Sequence, residues 1–204
     1  MTPRFIAEQL AHPRGLRGWL VRRGMNRGNA LANAFALDQL ELQPTDKVLE
    51  IGFGGGLNIE RLLNQSASVV GIDRSADSVA AANRRFARAR SAGRASFLLG
   101  AAEALPLSDN TFTKVVTVHT VYFWTSLDRG FRELHRCLQP GGLLVVGFLP
   151  KAQMDRMRMP SDLFAPRDPD VLSAAAKDAG FTVDLRRPDS SEPWMALVAR
   201  KSST

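Results

Sequence analysis

Glu50, Asp73 and the glycines between them are the residues whose types and spacing can do chemistry. They begin in Val48-Leu49-Glu50-Ile51-Gly52-Phe53-Gly54-Gly55-Gly56-Leu57-Asn58, where Gly52, Gly54 and Gly56 alternate. Glycine lacks a Cβ, so such a segment turns sharply and lies close against a ligand. Asp73 falls about twenty residues beyond Gly52, where an acidic side chain holds a ribose diol through two charge-assisted hydrogen bonds. That placement would serve NAD equally, so it supports a nucleoside without choosing the cofactor, and the competing reading is a cap of the helix that follows. A dinucleotide loop asks for Gly-x-Gly-x-x-Gly. Counted from Gly52 the sixth position is Leu57, and from Gly54 it is Ile59, so neither frame fits. For the loop alone, the competing reading is a glycine-rich turn that binds nothing.

Alternating strands and helices must position these groups. Val48–Ile51, entered from Gln43-Pro44-Thr45-Asp46, reads as a buried parallel strand. From Leu57 the pattern turns helical, with Ile59, Leu62 and Leu63 on one face. Ser68–Asp73 is the second strand, and an alanine- and arginine-rich helix runs from about Ser75 to Ser91, stopping near Gly93. Ala95–Gly100 is the third strand and Val115–Val118 the fourth, with His119, Tyr122, Phe123 and Trp124 leaving its carboxyl end. Ligands of open parallel sheets sit outside such ends. His119 and Tyr122, with the ring of Trp124, are therefore candidates to line a reaction pocket, and core packing is the alternative for each. Leu127, Phe131, Leu134 and Leu138 stripe a helix that ends in the turn Gln139-Pro140-Gly141-Gly142 before a fifth strand, Leu143–Phe148. His135 and Cys137 flank that stripe as structural residues. Leu149–Arg167 reads as an irregular lid containing Met154, Met157 and Met159. A helix over Asp168–Ala179 and strands Phe181–Leu185 and Trp194–Ala199 complete the sheet. Residues 1–42 form a helical leader with Leu31, Phe35, Leu37, Leu40 and Leu42 as its apolar stripe, and residues 43–204 form the main domain, one unit with the leader.

The pattern acidic-x-Gly-x-Gly-x-Gly, carried by Glu50, Gly52, Gly54 and Gly56, resembles the first motif of the class I S-adenosylmethionine-dependent methyltransferases. Gly100-Ala101-Ala102-Glu103-Ala104-Leu105-Pro106-Leu107 is similar to that family's adenine loop, although Ala101 stands where the family usually has an aspartate. Leu138-Gln139-Pro140-Gly141-Gly142-Leu143-Leu144 matches its late, architectural motif. The resemblance spans roughly residues 45–200 and implies a single Rossmann-like, doubly wound α/β sheet of about seven strands. That sheet is mostly parallel with an antiparallel last strand, and helices cover both faces. The cofactor implied is S-adenosylmethionine, with S-adenosylhomocysteine as product. Its ammonium suits Glu50, and its carboxylate suits the glycine amides. Cofactor contacts are thereby expected from Glu50, Gly52, Phe53, Gly54, Gly56, Asp73, Arg74, Ala101, Ala102, Glu103 and His119, with His119 and Tyr122 orienting or deprotonating the acceptor. In the family a leader covers the cleft, which puts Met25-Asn26-Arg27-Gly28-Asn29 over the site.

With 204 residues, ordinary apolar content and one cysteine, the chain suits a single globular domain without internal disulfides. No apolar run is long enough to span a bilayer, and Met1–Arg27 lacks a signal-peptide core, so a cytoplasmic protein without membrane contact is expected. The net charge of +7 concentrates in the first thirty residues and in Arg84, Arg85, Arg88, Arg90 and Arg94. Neither cluster is interleaved with stacking aromatics, which favours solvated helix faces over nucleic-acid contact. His12, His119, His135 and Cys137 have no metal-ligand spacing, so no metal is expected. Base-amino methylation characteristically uses an Asp/Asn-Pro-Pro-aromatic segment where this chain has His119-Thr120-Val121-Tyr122. With only the leader and about twenty residues after the fifth strand to build a substrate pocket, a small-molecule acceptor is favoured over a protein. A nucleic-acid methyltransferase and a cofactor binder without turnover are the alternatives, and a dehydrogenase is weakened by Leu57. The sequence assigns no oligomeric state.

Overall fold

In a computed structural model the chain is described over residues 30–158, 160, 162–188 and 192–203. The expected leader residues Met25–Asn29, like Met159, lie outside the described residues. The elements in order are α1 (Ala30–Asp38), β1 (Lys47–Ile51), α2 (Leu57–Gln65), β2 (Ser68–Asp73), α3 (Ala76–Arg85), α4 (Ala87–Ser91), β3 (Ala95–Leu99), β4 (Phe112–Val118), a 3-10 turn (Val121–Phe123), α5 (Leu127–Cys137), β5 (Leu138–Phe148), α6 (Lys151–Arg156), α7 (Pro169–Asp178), β6 (Phe181–Arg186) and β7 (Met195–Lys201).

The strands make one seven-stranded sheet of order β3-β2-β1-β4-β5-β7-β6. All pairings from β3 through β5 are parallel, and β7 runs antiparallel to both β5 and β6. The expected mostly parallel sheet with an antiparallel last strand is what forms. Each central strand buries both faces, because successive side chains point to opposite sides. Val48, Val116 and Val145 join Ile59, Leu62 and Ala36 under α1 and α2, whereas Leu49, Val115 and Val146 join Phe131, Leu134 and Leu172 under α5 and α7. Burying one such aliphatic side chain contributes about 1.5–3 kcal/mol, so each face is a substantial anchor. The order reverses between β1 and β4, which places the topological switch point at the carboxyl ends of these two strands.

Several boundaries differ from expectation, each for a local reason. The helix expected over 75–91 divides at Phe86, which leaves helical geometry (φ −106, ψ 27) while its ring packs 5.6 Å from Phe97. The leader's stripe is rotated: Ala32, Ala36, Leu37 and Leu40 are buried, and Leu31 is 64% exposed. A hypothetical Cβ on Gly147 would stand 3.0 Å from Ala36 Cβ, so small residues at this contact let α1 lie close on the sheet. The turn expected at Gln139–Gly142 instead begins β5. Leu138 already pairs with Phe112, and a register shift with Gly141 at φ 77 absorbs the kink. The segment expected to be irregular contains α6, whose Lys151–Asp155 pair is spaced i,i+4 and whose Met154 is buried.

Candidate functional site

The glycine loop crosses the carboxyl end of β1 with Gly52, Gly54 and Gly56 all at positive φ (71, 51 and 70). Their surroundings differ. A Cβ at Gly52 would strike the Thr120 side chain, and one at Gly56 would sit 3.1 Å from the Phe86 ring. Among the described residues a Cβ at Gly54 would meet only Gly52 O at 4.0 Å, so these residues leave the loop open on that side. Gly52 N–H donates to Ile72 O (2.7 Å), and Gly56 N–H donates to Phe53 O (2.8 Å). Asp73, at the end of β2, accepts from Gly54 N–H on Oδ2 (2.7 Å) and from Ser75 N–H on Oδ1 (2.8 Å). Asp73 thus orders the loop and the start of α3 together, while Ser75 is the N-cap of α3. Arg74 beside it is exposed. Phe53 is not brought to the open face: its ring packs against Phe97 at 5.3 Å in the core.

Glu50 is 3% exposed. Its Oε1 accepts from Asn58 Nδ2 (2.9 Å), and Asn58 Nδ2 also donates to Asn33 Oδ1 of α1 (2.8 Å). Oε2 of Glu50 is buried and has no hydrogen-bond partner among the described residues. Loss of water, with Asp73 nearby, pushes its carboxyl up to about 7 despite the bond from Asn58. Asn58 and Asn33 escaped the sequence reading. The available signal was a polar residue inside the buried stripe of α2, beside Ile59, Leu62 and Leu63.

Beyond β3, Ala101 is exposed and Ala102 buried in a turn closed by Ala104 N–H to Ala101 O (3.2 Å). Glu103 Oε1 accepts from Thr125 N–H (2.6 Å) and Thr125 Oγ1 (3.1 Å), tying this loop to the segment after β4. From α5, Glu133 accepts Leu105 N–H (2.7 Å), and Arg136 donates to Leu107 O (2.7 Å). Glu133 and Arg136 were also missed, because their partners are backbone groups far away in sequence.

At the end of β4, Thr117 donates to Ile51 O (2.9 Å) and pairs its hydroxyl with Thr120. His119 has φ 58, a conformation non-glycine residues adopt at a cost, and its N–H donates to Gly147 O (2.8 Å). Its Nδ1 lies 3.2 Å from the Tyr122 hydroxyl. That hydroxyl accepts from Leu149 N–H and lies 3.4 Å from Leu149 O. Burial lowers His119 to about 4 and raises the Tyr122 phenol above its ordinary value, so both are neutral near pH 7. Trp124 does not join them. Its ring fills the core against Gly130 and Phe131 (5.5 Å), a correction to the pocket expected around it. Phe123 packs on Phe164 (5.1 Å) as a core residue. Arg167 caps the 3-10 turn by donating to Val121 O (3.1 Å) and Trp124 O (2.6 Å). His135 packs on Phe181 (4.9 Å), and burial pushes the Cys137 thiol up to about 11, which leaves both structural.

A parallel sheet that reverses order at β1 and β4, with a glycine loop, Glu50 and Asp73 gathered at that reversal, defines the class I S-adenosylmethionine-dependent methyltransferase fold. Residues 49–146 match the family model described as a methyltransferase domain. It is 29% identical over 125 residues to an uncharacterized methyltransferase, YdaC, of Bacillus subtilis, covering 60% of this chain and 67% of the relative. It is 27% identical over 194 residues to the erythromycin 3''-O-methyltransferase of Saccharopolyspora erythraea, covering 84% and 62%. The crystal structure of YcgJ from Bacillus subtilis superposes with a TM-score of 0.72 at 15% identity, over 85% of this chain and 99% of that one. The chain spans about half to two thirds of the length of the curated relatives it matches. Among the described residues no helix is long and apolar enough to cross a membrane.

Proposed function

We propose that this chain transfers the methyl group of S-adenosylmethionine to a small-molecule acceptor held outside the carboxyl end of β4. The observation that carries the reading is the buried, unpartnered Glu50 Oε2 beside a glycine loop open at Gly54. A buried acceptor atom without a donor is costly unless a ligand supplies one. An adenosyl amino acid fits this chemistry: Glu50 receives its ammonium, the loop amides its carboxylate, and Asp73 its ribose diol. Arg74, Ala101, the Ala102 amide and Glu103 border the nucleoside. When bound, S-adenosylmethionine supplies an electrophilic methyl on a sulfonium, so the protein need only align and desolvate the reactants.

His119 and Tyr122 are the acceptor-side groups in this reading. An imidazole held near 4 is a weak base at pH 7, which favours orientation of the acceptor over proton abstraction. With Nδ1–H donating to Tyr122, Nε2 presents a lone pair to a hydroxyl or amine of the acceptor. A relative that matches 84% of this chain is named erythromycin 3''-O-methyltransferase, which supports the acceptor class. His119→Ala and Tyr122→Phe are each expected to lower kcat/KM by about a hundredfold while the affinity for S-adenosylhomocysteine stays the same. The measurement is S-adenosylhomocysteine release over a panel of hydroxylated and amino small molecules. Unchanged turnover in the double variant would remove both residues from the reaction.

A further inference from the structure

Among the described residues, Oε2 of Glu50 is a buried carboxyl oxygen with no donor, and its neighbours define what it can do. From β2 it faces Asp73, a group of like charge. From α2 it meets the uncharged amide of Asn58, which in turn donates to Asn33 of α1. From β4 its register partner is Val116, followed by the untitratable Thr117, and His119 beyond is neutral near pH 7. The charges that α1 and α2 do carry are exposed and paired elsewhere: Arg61 with Asp38, and Glu60 with Arg85. Among the described residues the charged group acting on Glu50 is Asp73 alone, and the group that favours the carboxylate there is the neutral Asn58 amide.

We propose that at pH 6 Glu50 stands in the ligand-free protein largely as the carboxylic acid, and that docking of an ammonium group at Oε2 expels its proton to solvent. The O–H bond of the carboxyl breaks, the proton leaves on a buffer base, and the carboxylate left behind pairs with the ammonium. The single positive charge that enters with the ligand is thus matched by one that departs. Asn58, donating to Oε1 and held by Asn33, keeps Oε2 turned toward the incoming donor. This inference rests on the reading of the loop as an adenosyl amino acid site and adds a proton linkage to it. The lift of the Glu50 carboxyl to about 7 puts the linkage within reach of ordinary buffers.

The test is calorimetric titration of the protein with S-adenosylhomocysteine at pH 6.0 in phosphate, MES and imidazole, whose ionisation enthalpies differ. The apparent binding enthalpy is expected to vary linearly with buffer ionisation enthalpy, with a slope near one proton released. Affinity is expected to strengthen about tenfold or more from pH 5.5 to 7.5. 5′-Methylthioadenosine, which lacks the amino acid, is expected to bind with zero slope. Glu50→Gln is expected to abolish the slope for S-adenosylhomocysteine and flatten its pH dependence. If that variant does not fold, the contrast between the two ligands on the wild type still decides. Normal affinity with zero slope for S-adenosylhomocysteine, or equal slopes for both ligands, overturns the proton linkage and leaves the site reading intact. Absence of binding by either ligand overturns the site reading, and the linkage with it.

Discussion

Gly52 and Gly54 share a positive φ and differ in what stands above them, which makes them separable by one methyl group each. At Gly54 an added methyl strains the backbone by about 1 kcal/mol, since left-handed geometry disfavours a Cβ. Among the described residues it touches nothing nearer than Gly52 O at 4.0 Å. The methyl therefore stands where a ligand approaches the loop. Gly54→Ala is expected to lose about 1 kcal/mol in urea unfolding and at least about tenfold in S-adenosylhomocysteine affinity. At Gly52 the methyl meets Thr120, whose hydroxyl is fixed on Thr117 and through it on Ile51 O. Overpacking there adds about 1–3 kcal/mol to the same strain, so Gly52→Ala is expected to be chiefly a folding lesion. Unimpaired binding by Gly54→Ala would mean that the open side of the loop is not the ligand side.

Helix α1 reaches the site through a side-chain relay rather than through packing alone. Asn58 is 5% exposed and its amide serves both Glu50 and Asn33, so α1, α2 and β1 meet on one nitrogen. Replacing Asn58 with Leu strands the Glu50 carboxyl and is expected to cost about 2–3 kcal/mol in urea unfolding, the penalty for unsatisfied buried polar groups. It also removes the one interaction that lowers the Glu50 pKa. S-adenosylhomocysteine should therefore bind more weakly at pH 7.5 and recover at pH 8.5, which titration at the two pH values checks. The elements most legible in the sequence were those with a local cause. The second strand, Ser68–Asp73, is bounded by its apolar run and carboxylate, and α7 by Asp168, which accepts from Asp170 N–H (3.0 Å), and by Gly180 at φ 98. The relay was not legible, because it joins residues 25 and 8 positions apart that have no common period. The break at Phe86 was hidden for the same reason: its helix pattern continues, and only the pull of Phe97 and the space beside Gly56 turn the ring inward. Trp124 failed as a pocket residue because Gly130, a helix position without a side chain, offers it a place in the core.

The sheet as a whole concentrates unusual ionisation at its carboxyl edge, and this leaves a signature in the stability of the molecule. Glu50 binds its proton more tightly folded (about 7) than unfolded (4.5), so the native state holds more protons between these values. Its contribution is most favourable below pH 4.5 and is lost as pH rises toward 7, a loss on the order of 3 kcal/mol for a buried group. His119 has the opposite sign. Its native value near 4 lies below the unfolded 6.5, so its contribution is full above pH 6.5 and is lost as pH falls toward 4. Between pH 4.5 and 6.5 the two slopes oppose each other and the wild type is flatter than either group alone would make it. Glu50→Gln keeps the shape and removes one slope. The variant is expected to match the wild type near pH 4.5 and to exceed it at pH 7.5 by an amount on the order of 3 kcal/mol, while losing affinity for S-adenosylhomocysteine. Urea midpoints of the two proteins across pH 4.5–7.5 measure this directly. A constant difference between the curves would show that Glu50 does not titrate in that window. A difference that opens with pH would show a carboxyl kept ready for a cation at the expense of the fold that holds it.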